Sequence, residues 1–192
     1  ICSTFHEWGA SRTNPQMEKM TRQEAINSLK ERAGFFLPGL GDKAEAVYDA
    51  YAEIFPGAKP IEVMTLISSN RMGVVSTANA KSVQKAPVYV AWFGWEPPMF
   101  NGRMRAFHCL DICFWFNNTD LMLTHTGGGE RPRKLGEKMS DSLLAFMKTG
   151  NPNAKGLPNW PAFTKAKGET MILNDDCVVK NDPDRKGREL LS

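Results

Sequence analysis

The sequence predicts an α/β fold in which helices cover a small, mostly parallel sheet. The chain begins with strand-like residues just before an acidic loop at residues 3–9, and a second apolar run occupies residues 87–93. The second run is apolar on both faces, which is typical of a strand buried inside a parallel sheet. Helical patterns fill the residues between the two runs and reappear after the second. Alternation of strands and helices of this kind is typical of α/β proteins.

Three helices are predicted between these two strands. The first follows a capping box formed by Thr21 and Glu24 and ends at Gly34. The second begins at Asp42, whose side chain is expected to cap the helix. The third is predicted as one continuous helix over residues 60–78. It starts at Pro60, because proline is favoured at a first helical position, and apolar residues continue at helical spacing to Ala78.

Fewer elements are predicted after the second strand. A helix that begins near Pro132 presents one apolar face and stops at Gly150, and residues 170–173 form a short last strand. The charged tail from Asn174 onward has only a weak pattern and is assigned no element. A sheet of only two or three strands would leave many backbone N–H and C=O groups unpaired at its edges. We therefore expect further strands from an upstream segment or from a second copy, which would make a homo-oligomer through the exposed sheet edge.

Length and composition favour one globular domain over residues 1–192. The 24 basic and 21 acidic residues leave a net charge of only +3, and the basic residues form no stripe, so no nucleic-acid partner is predicted. The basic clusters at residues 131–134 and 184–188 are interpreted as solvated helix ends and tails. No apolar run approaches the roughly 20 residues of a membrane span, and the sequence indicates no particular compartment.

Glu7 and His108 are the candidate catalytic residues. Each lies just beyond a predicted strand, in the order acid and then histidine that α/β-hydrolases use after their serine. A histidine can exchange a proton near neutral pH, and a carboxylate can orient its ring. The serine motif Gly-x-Ser-x-Gly is absent from all 192 residues. In that chain order the nucleophile is therefore expected upstream of residue 1.

Several segments resemble the C-terminal part of the type-B carboxylesterases, the family of p-nitrobenzyl esterases and cholinesterases. They are the acid loop Phe5-His6-Glu7, the histidine loop over residues 106–112, and the run Thr149-Gly150-Asn151-Pro152-Asn153, which is followed by Trp160-Pro161. The last combination is the most distinctive. The resemblance implies the C-terminal portion of an α/β-hydrolase fold, with few strands flanked by helices, and it implies that Glu7 is the triad acid and His108 the general base.

The chain departs from this family at two turns. Where the family usually has Asp-Glu-Gly, this chain has His6-Glu7-Trp8, and where the family has glycine after the histidine, it has Cys109. Both glycine positions are therefore filled. Because glycine serves conformations that other residues avoid, the two turns are expected to be reshaped or the catalytic geometry relaxed.

Other residues near the histidine are assigned lesser roles. Asp111 is expected to hold the histidine loop by hydrogen bonds rather than to serve as triad acid. Four aromatic side chains are candidates for lining an acyl or alcohol pocket, with buried packing as the alternative: Trp92, Trp95, Phe100 and Phe107. No metal and no cofactor are predicted, because the histidines and the four cysteines lack ligand spacing.

These observations lead to one functional hypothesis and two alternatives. The hypothesis is a serine carboxylesterase that hydrolyses small-molecule esters through an acyl-enzyme, with this chain inactive without its upstream part. The first alternative is a cholinesterase-like binding or adhesion module that has lost catalysis. The second is a remnant that associates with itself through open sheet edges.

Overall fold

The sheet contains four strands. The structure, a computed structural model, describes residues 1–7, 11–32 and 37–191. The strands are neighbours in chain order, the first three parallel and the fourth antiparallel to the third. This arrangement confirms the predicted α/β class. The strands are β1 (Cys2–Thr4), β2 (Val90–Phe93), β3 (Glu169–Leu173) and β4 (Val178–Asn181).

Eight α-helices are found in the described part of the chain. Four of them, rather than the predicted three, lie between β1 and β2. None of the eight is long and apolar enough to cross a membrane. The helices are α1 (Arg22–Glu31), α2 (Ala44–Ile54), α3 (Pro60–Leu66), α4 (Ser69–Ser82), α5 (Leu110–Trp115), α6 (Leu123–Thr126), α7 (Glu130–Thr149) and α8 (Arg185–Leu191).

The continuous helix predicted over residues 60–78 is wrong, because the chain breaks it into α3 and α4. Ile67 and Ser68 both adopt extended backbone angles, and the Ser68 side chain accepts a hydrogen bond from the Asn70 N–H at 3.1 Å. A serine hydroxyl that satisfies the free amides of a first turn favours the start of a new helix over the interior of an old one.

The predicted helix ends were correct at some positions and wrong at another. The Thr21–Glu24 capping box is present at the start of α1, and Gly150 ends α7 in the left-handed conformation. The cap predicted for Asp42 is wrong: Asp42 lies in a 3-10 turn that leads into α2 and forms no side-chain cap. A capping residue needs non-helical backbone, which this turn does not offer. The stop predicted at Gly34 lies outside the described residues.

The tail predicted to be solvated and without elements instead docks against the body of the protein. It forms β4 and then α8, which packs on α2. Asp184 is fully buried and accepts hydrogen bonds from the guanidinium of Arg71, which is also buried and lies over the Trp92 ring at 4.6 Å. Arg188 also bonds to Asp184, at 3.0 Å. The cluster at 184–188 is thus partly an anchor, whereas the exposed cluster at 131–134 forms surface ion pairs, as interpreted.

β2 is the strand around which the core is built. All four of its residues are buried, because helices cover both of its faces and strands pair with both of its edges. Trp92 pairs with Ser3 of β1 on one side and with Ile172 of β3 on the other. Since β1 and β2 run parallel, their carboxyl ends meet at one edge of the sheet. The loops that carry Glu7 and His108 begin at this edge.

Candidate active site

The acid loop and the histidine loop run side by side beyond the strand ends. Phe5 N–H donates to Phe93 O at 2.8 Å, and His6 N–H donates to Ala106 O at 3.1 Å. The second bond belongs to a parallel bridge between His6 and Phe107. The residues just before Glu7 and His108 thus pair in the same parallel direction as β1 and β2. Two residues that are 101 positions apart in the chain are neighbours for this reason.

The Glu7 carboxylate is held between the backbone and the histidine. Its Oε1 accepts the Thr4 N–H at 2.9 Å, and its Oε2 lies 2.6 Å from His108 Nδ1. A carboxylate only accepts hydrogen bonds, so Nδ1 carries a proton, and in the neutral ring Nε2 has the lone pair. The His108 side chain is 65% exposed, whereas that of Glu7 is 10% exposed. A fixed tautomer with an accessible Nε2 is the arrangement that general-base chemistry needs.

The turn after His108 keeps a glycine-like shape without a glycine. Cys109 adopts the left-handed conformation with φ of 67° and directly precedes α5. A residue with a β-carbon pays a strain of about 1 kcal/mol for such angles. The departure noted at this position therefore leaves the left-handed turn in place and adds strain to it. The other departure, Trp8, lies outside the described residues.

Asp111 supports α5 rather than the histidine ring. Its Oδ2 accepts a hydrogen bond from Trp115 Nε1 at 3.1 Å, and no bond joins it to His108 in the described structure. Burial raises the pKa of the Asp111 carboxyl, and the bond from Trp115 opposes that rise. Burial and the nearby Asp111 charge also raise the pKa of Cys2 well above its ordinary value. Asp111 thus bonds to Trp115 of its own helix, and its predicted role in holding the histidine loop stays a prediction.

The two tryptophans proposed as pocket candidates are packed in the core instead. Trp92 and Trp95 are both 0% exposed. Trp92 packs against Phe5 with ring centroids 4.5 Å apart, and its indole N–H donates to Thr4 O. The Trp95 N–H donates to Asp175. Large rings on a doubly covered strand and just after it fill the interior, so packing, the alternative interpretation, applies to both.

The other two aromatic candidates lie nearer the surface. Phe100 is 55% exposed and lies in a turn, with φ of 51°. Phe107 precedes the histidine, and its ring lies 5.7 Å from that of His125. Their role as pocket-lining residues stays a prediction.

A cavity of about 500 Å³ adjoins the acid and the histidine. Its walls are β1, Glu7, the first turns of α4 and residues 108–112. We call it the Glu7–His108 cavity. In the part of the chain that the structure describes, no serine hydroxyl bonds to His108, and no cluster of three or more His, Cys, Asp or Glu is placed to hold a metal ion. The chemistry within these residues is that of an acid and a base.

Sequence reasoning missed two residues that hold these loops. His6 is buried and bonds to Thr65, and Arg105 is buried and bonds to Glu18 and Glu62. Their positions directly before Glu7 and just before His108 were the only available signal. Neither contact has a local sequence pattern, because each joins residues that are distant in the chain.

Comparison with known proteins identifies the family. Residues 13–189 match the family model described as the carboxylesterase family. The chain belongs to the carboxylesterase family. The matched range includes His108 and leaves out Glu7, whose assignment therefore rests on geometry and on the resemblance of its loop.

Curated relatives of this carboxylesterase-family chain are considerably longer than it is. The para-nitrobenzyl esterase of Bacillus subtilis is 32% identical over 152 residues, which cover 77% of this chain and 29% of that protein. The phenmedipham hydrolase of Pseudarthrobacter oxydans is 24% identical over 173 residues, 85% of this chain and 32% of that protein. The chain spans about a third of the length of these relatives.

Solved esterase structures share the fold. A Clostridium hathewayi esterase, described as able to hydrolyse aliphatic aromatic polyesters, is 30% identical with a TM-score of 0.78 and covers 100% of this chain. A Geobacillus stearothermophilus carboxylesterase is 26% identical with a TM-score of 0.69. The match spans 36% of the first structure and 40% of the second. These matches show the carboxylesterase family and the α/β-hydrolase fold, and the relatives in that family are named as hydrolases.

Proposed function

We propose that this chain is the C-terminal part of a serine carboxylesterase domain and supplies two members of its catalytic triad. Glu7 is the acid and His108 is the general base. The observation that carries the proposal is the 2.6 Å contact between Glu7 Oε2 and His108 Nδ1, on loops that leave the carboxyl ends of two parallel strands. The serine is proposed to precede Glu7 on the same polypeptide, as the chain order of α/β-hydrolases requires.

In this proposal, His108 moves the protons of both half-reactions. Its Nε2 takes the proton of the serine hydroxyl as the serine oxygen attacks the ester carbonyl carbon, and it returns that proton to the departing alcohol. It then takes a proton from water, whose oxygen attacks the acyl-enzyme, and returns it to the serine. The Glu7 carboxylate stabilises the imidazolium in each half. The amides that would stabilise the oxyanion are proposed to lie outside this chain.

The serine-bearing turn is proposed to enter the Glu7–His108 cavity. Three features support this placement. The cavity borders β1, the outer edge of β1 has no partner strand in the described structure, and His108 Nε2 forms no hydrogen bond to the described residues. A parallel strand placed beside β1 would end at the same edge of the sheet as Glu7 and His108.

A second surface is suited to contact with the same upstream part. An apolar groove of about 650 Å³ lies beside β1 and β2, between α4, α5 and α7. Its walls include Tyr89, Trp115 and Phe146, and the nearby Phe116 is 67% exposed. Apolar surface of this kind favours burial by another segment. The partner proposed here is the upstream part of the same polypeptide, and a second copy of the chain is the competing occupant.

The substrate class is proposed to be small-molecule carboxylic esters. The para-nitrobenzyl esterase supports this, because its name states an ester of a small alcohol as the substrate of that protein. The esterase described as hydrolysing polyesters supports ester chemistry more generally. The residues that would distinguish one ester from another are expected largely in the upstream part.

The experiment uses the polypeptide that contains this chain, isolated from its source and treated with a fluorophosphonate probe. We expect a labelled protein larger than the chain. His108→Ala and Glu7→Gln should abolish or slow labelling and ester hydrolysis, whereas Glu53→Gln, in an exposed ion pair on α2, should leave both unchanged. Full turnover by His108→Ala would overturn the proposal, and a wild-type protein that takes no label would favour the binding-module alternative.

A further inference from the structure

α3 contacts both catalytic loops through one face. Thr65 and Glu62 are three positions apart on this helix, so their side chains point the same way. Thr65 contacts the acid loop and Glu62 contacts the histidine loop. Two short loops from different strands are thus tied to one rigid element.

The acid loop is tied through His6. Its Nδ1 lies 2.8 Å from Thr65 Oγ1, and the Thr65 hydroxyl can donate to Ile61 O at 2.9 Å. The His6 ring and the Thr65 hydroxyl therefore share a hydrogen bond, whose donor depends on the His6 tautomer. The opposite nitrogen, Nε2, lies 3.4 Å from Glu96 Oε1. His6 is 3% exposed and held on both sides, so it restricts the loop directly before Glu7.

The histidine loop is tied through Arg105. This residue is 6% exposed and has φ of 53°, a conformation that costs free energy for any residue with a β-carbon. Its guanidinium donates to both oxygens of Glu18 and lies 3.0 Å from Glu62 Oε1. Glu62 is itself fixed, since its other oxygen accepts the Lys59 N–H at the start of α3. Strained backbone that persists under such restraint is typical of functional sites.

We propose that α3 is a clamp that sets the separation and angle between Glu7 and His108. His6, Thr65, Glu62 and Arg105 are positioning residues that touch no reacting atom and act through the two loops. The backbone hydrogen bond from the His6 N–H to Ala106 O joins the two loops directly. This inference rests on the proposed triad.

The test compares Thr65→Val with Thr65→Ser. Valine keeps the β-branched shape but cannot form the hydrogen bond with His6, whereas serine keeps the hydroxyl. A matched control is Thr149→Val, since Thr149 also donates to the carbonyl four residues before it, Ala145 O, and touches neither loop. Steady-state ester hydrolysis by the containing polypeptide gives kcat and KM. Long-range ¹H–¹⁵N NMR of the chain gives the His108 tautomer, and only three histidines need assignment.

We expect Thr65→Val to lower kcat about 10-fold with KM nearly unchanged, because small misplacements of catalytic groups slow chemistry without weakening binding. The His108 spectrum should move from the Nδ1–H form toward a mixture with the Nε2–H form. Thr65→Ser and Thr149→Val should match the wild type in both measurements. Arg105→Lys, which retains the charge but cannot reach Glu18 and Glu62 together, should reproduce the effects and serves if Thr65→Val fails to fold.

Several results would overturn the clamp. They are an unchanged tautomer in both Thr65→Val and Arg105→Lys, an equal loss in Thr65→Ser, or a tautomer change with full kcat. The proposed triad fails separately, because a wild-type His108 in the Nε2–H form would contradict the Glu7 contact itself. If the containing polypeptide hydrolyses no ester, the tautomer measurement alone decides the clamp.

Discussion

The Glu7–His108 pair and the Arg71–Asp184 pair both join residues far apart in the chain, but they differ in exposure. His108 is 65% exposed, whereas the side chains of Arg71 and Asp184 are 1% and 0% exposed. The first pair lies on loops beyond the sheet edge, and the second lies between α4 and the docked tail. The first pair therefore has a ring that solvent can reach, and the second has no exposed polar group. Exposure separates a pair suited to chemistry from a pair suited to anchoring.

Removal of one member of each pair should have opposite consequences. An exposed histidine stabilises the fold little, since its ring contributes little packing and Glu7 keeps its bond from the Thr4 N–H. Loss of the buried Asp184 carboxylate would leave the Arg71 guanidinium uncompensated in the interior, which lowers the free energy of unfolding. Activity should respond to the first pair and stability to the second.

The largest expected effect belongs to His108→Ala. We expect ester hydrolysis by the containing polypeptide to fall by about 10⁴-fold or more, as is usual when a triad member is lost. The free energy of unfolding of the chain should change by less than about 0.5 kcal/mol, because the ring is mostly exposed. Activity assays and urea denaturation check the two parts. A large loss of stability would contradict the expectation that the Glu7–His108 pair affects activity and not stability.

Asp184→Asn should have the next largest effect, and on stability. We expect a loss of about 3–5 kcal/mol in the free energy of unfolding, since the buried Arg71 loses its charge partner. The comparison is Asp49→Asn, which breaks an ion pair with Arg22 whose side chains are 50% and 45% exposed and should cost less than about 1 kcal/mol. Equal losses in chemical denaturation would show that burial does not distinguish these ion pairs.

The third prediction concerns acid stability near the histidine loop. Burial tends to raise the pKa of Glu18, but hydrogen bonds from Lys59, Ser11 and Arg105 outweigh it and lower the pKa from 4.5 to about 2. A carboxyl whose pKa is lower in the folded protein stabilises it above the unfolded value. That contribution, about 2–3 kcal/mol, is lost as pH falls from about 4.5 to about 2.

Glu18→Gln should remove this contribution. The variant should be less stable than the wild type at pH 6, and the difference should shrink as pH approaches 2. Denaturant unfolding at several pH values measures it. Parallel curves across this range would mean that Glu18 is not the group responsible.

Cys109→Gly should give the smallest effect, on the catalytic side of the comparison. Glycine relieves the left-handed strain at φ of 67° but adds freedom to the unfolded chain. We expect a net stabilisation of about 0.5 kcal/mol and little change in kcat. Cys109→Val should destabilise instead, since branching at the β-carbon worsens the strain. Thermal denaturation of both variants distinguishes strain relief from a general effect of removing the thiol.

Local signals in the sequence predicted the elements that depend on local contacts. The Thr21–Glu24 box and the Gly150 stop are short-range features, and both are present in the structure. The break at Ser68 was missed because the hydrophobic period continues across it, and only the capping hydroxyl distinguishes the two helices. Pattern alone favours one helix there.

Long-range polar contacts could not be predicted. Arg71 and Asp184 are 113 residues apart, and His6 and Thr65 are 59 apart. Arg71, Asp184 and Thr65 stand in no motif, and the acid loop that contains His6 does not indicate its partner. A charged residue in a polar tail usually faces solvent. The pairing of Glu7 with His108 could be predicted, because the family resemblance supplied long-range information that the spacing of residues along the chain does not contain.

The pairing of β1 with β2 also has a consequence for the order of folding. Cys2 and Ala91 are paired partners 89 positions apart, whereas the β3–β4 hairpin joins residues separated by only a short turn. Contacts between residues far apart in the chain require a larger loss of loop-closure entropy, so they form late. We expect the hairpin to assemble first and the first strand to join after α1–α4 have condensed. The proximity of acid and histidine would then be a late product of folding, and hydrogen exchange should protect Lys180, which pairs with Thr170, before Ser3.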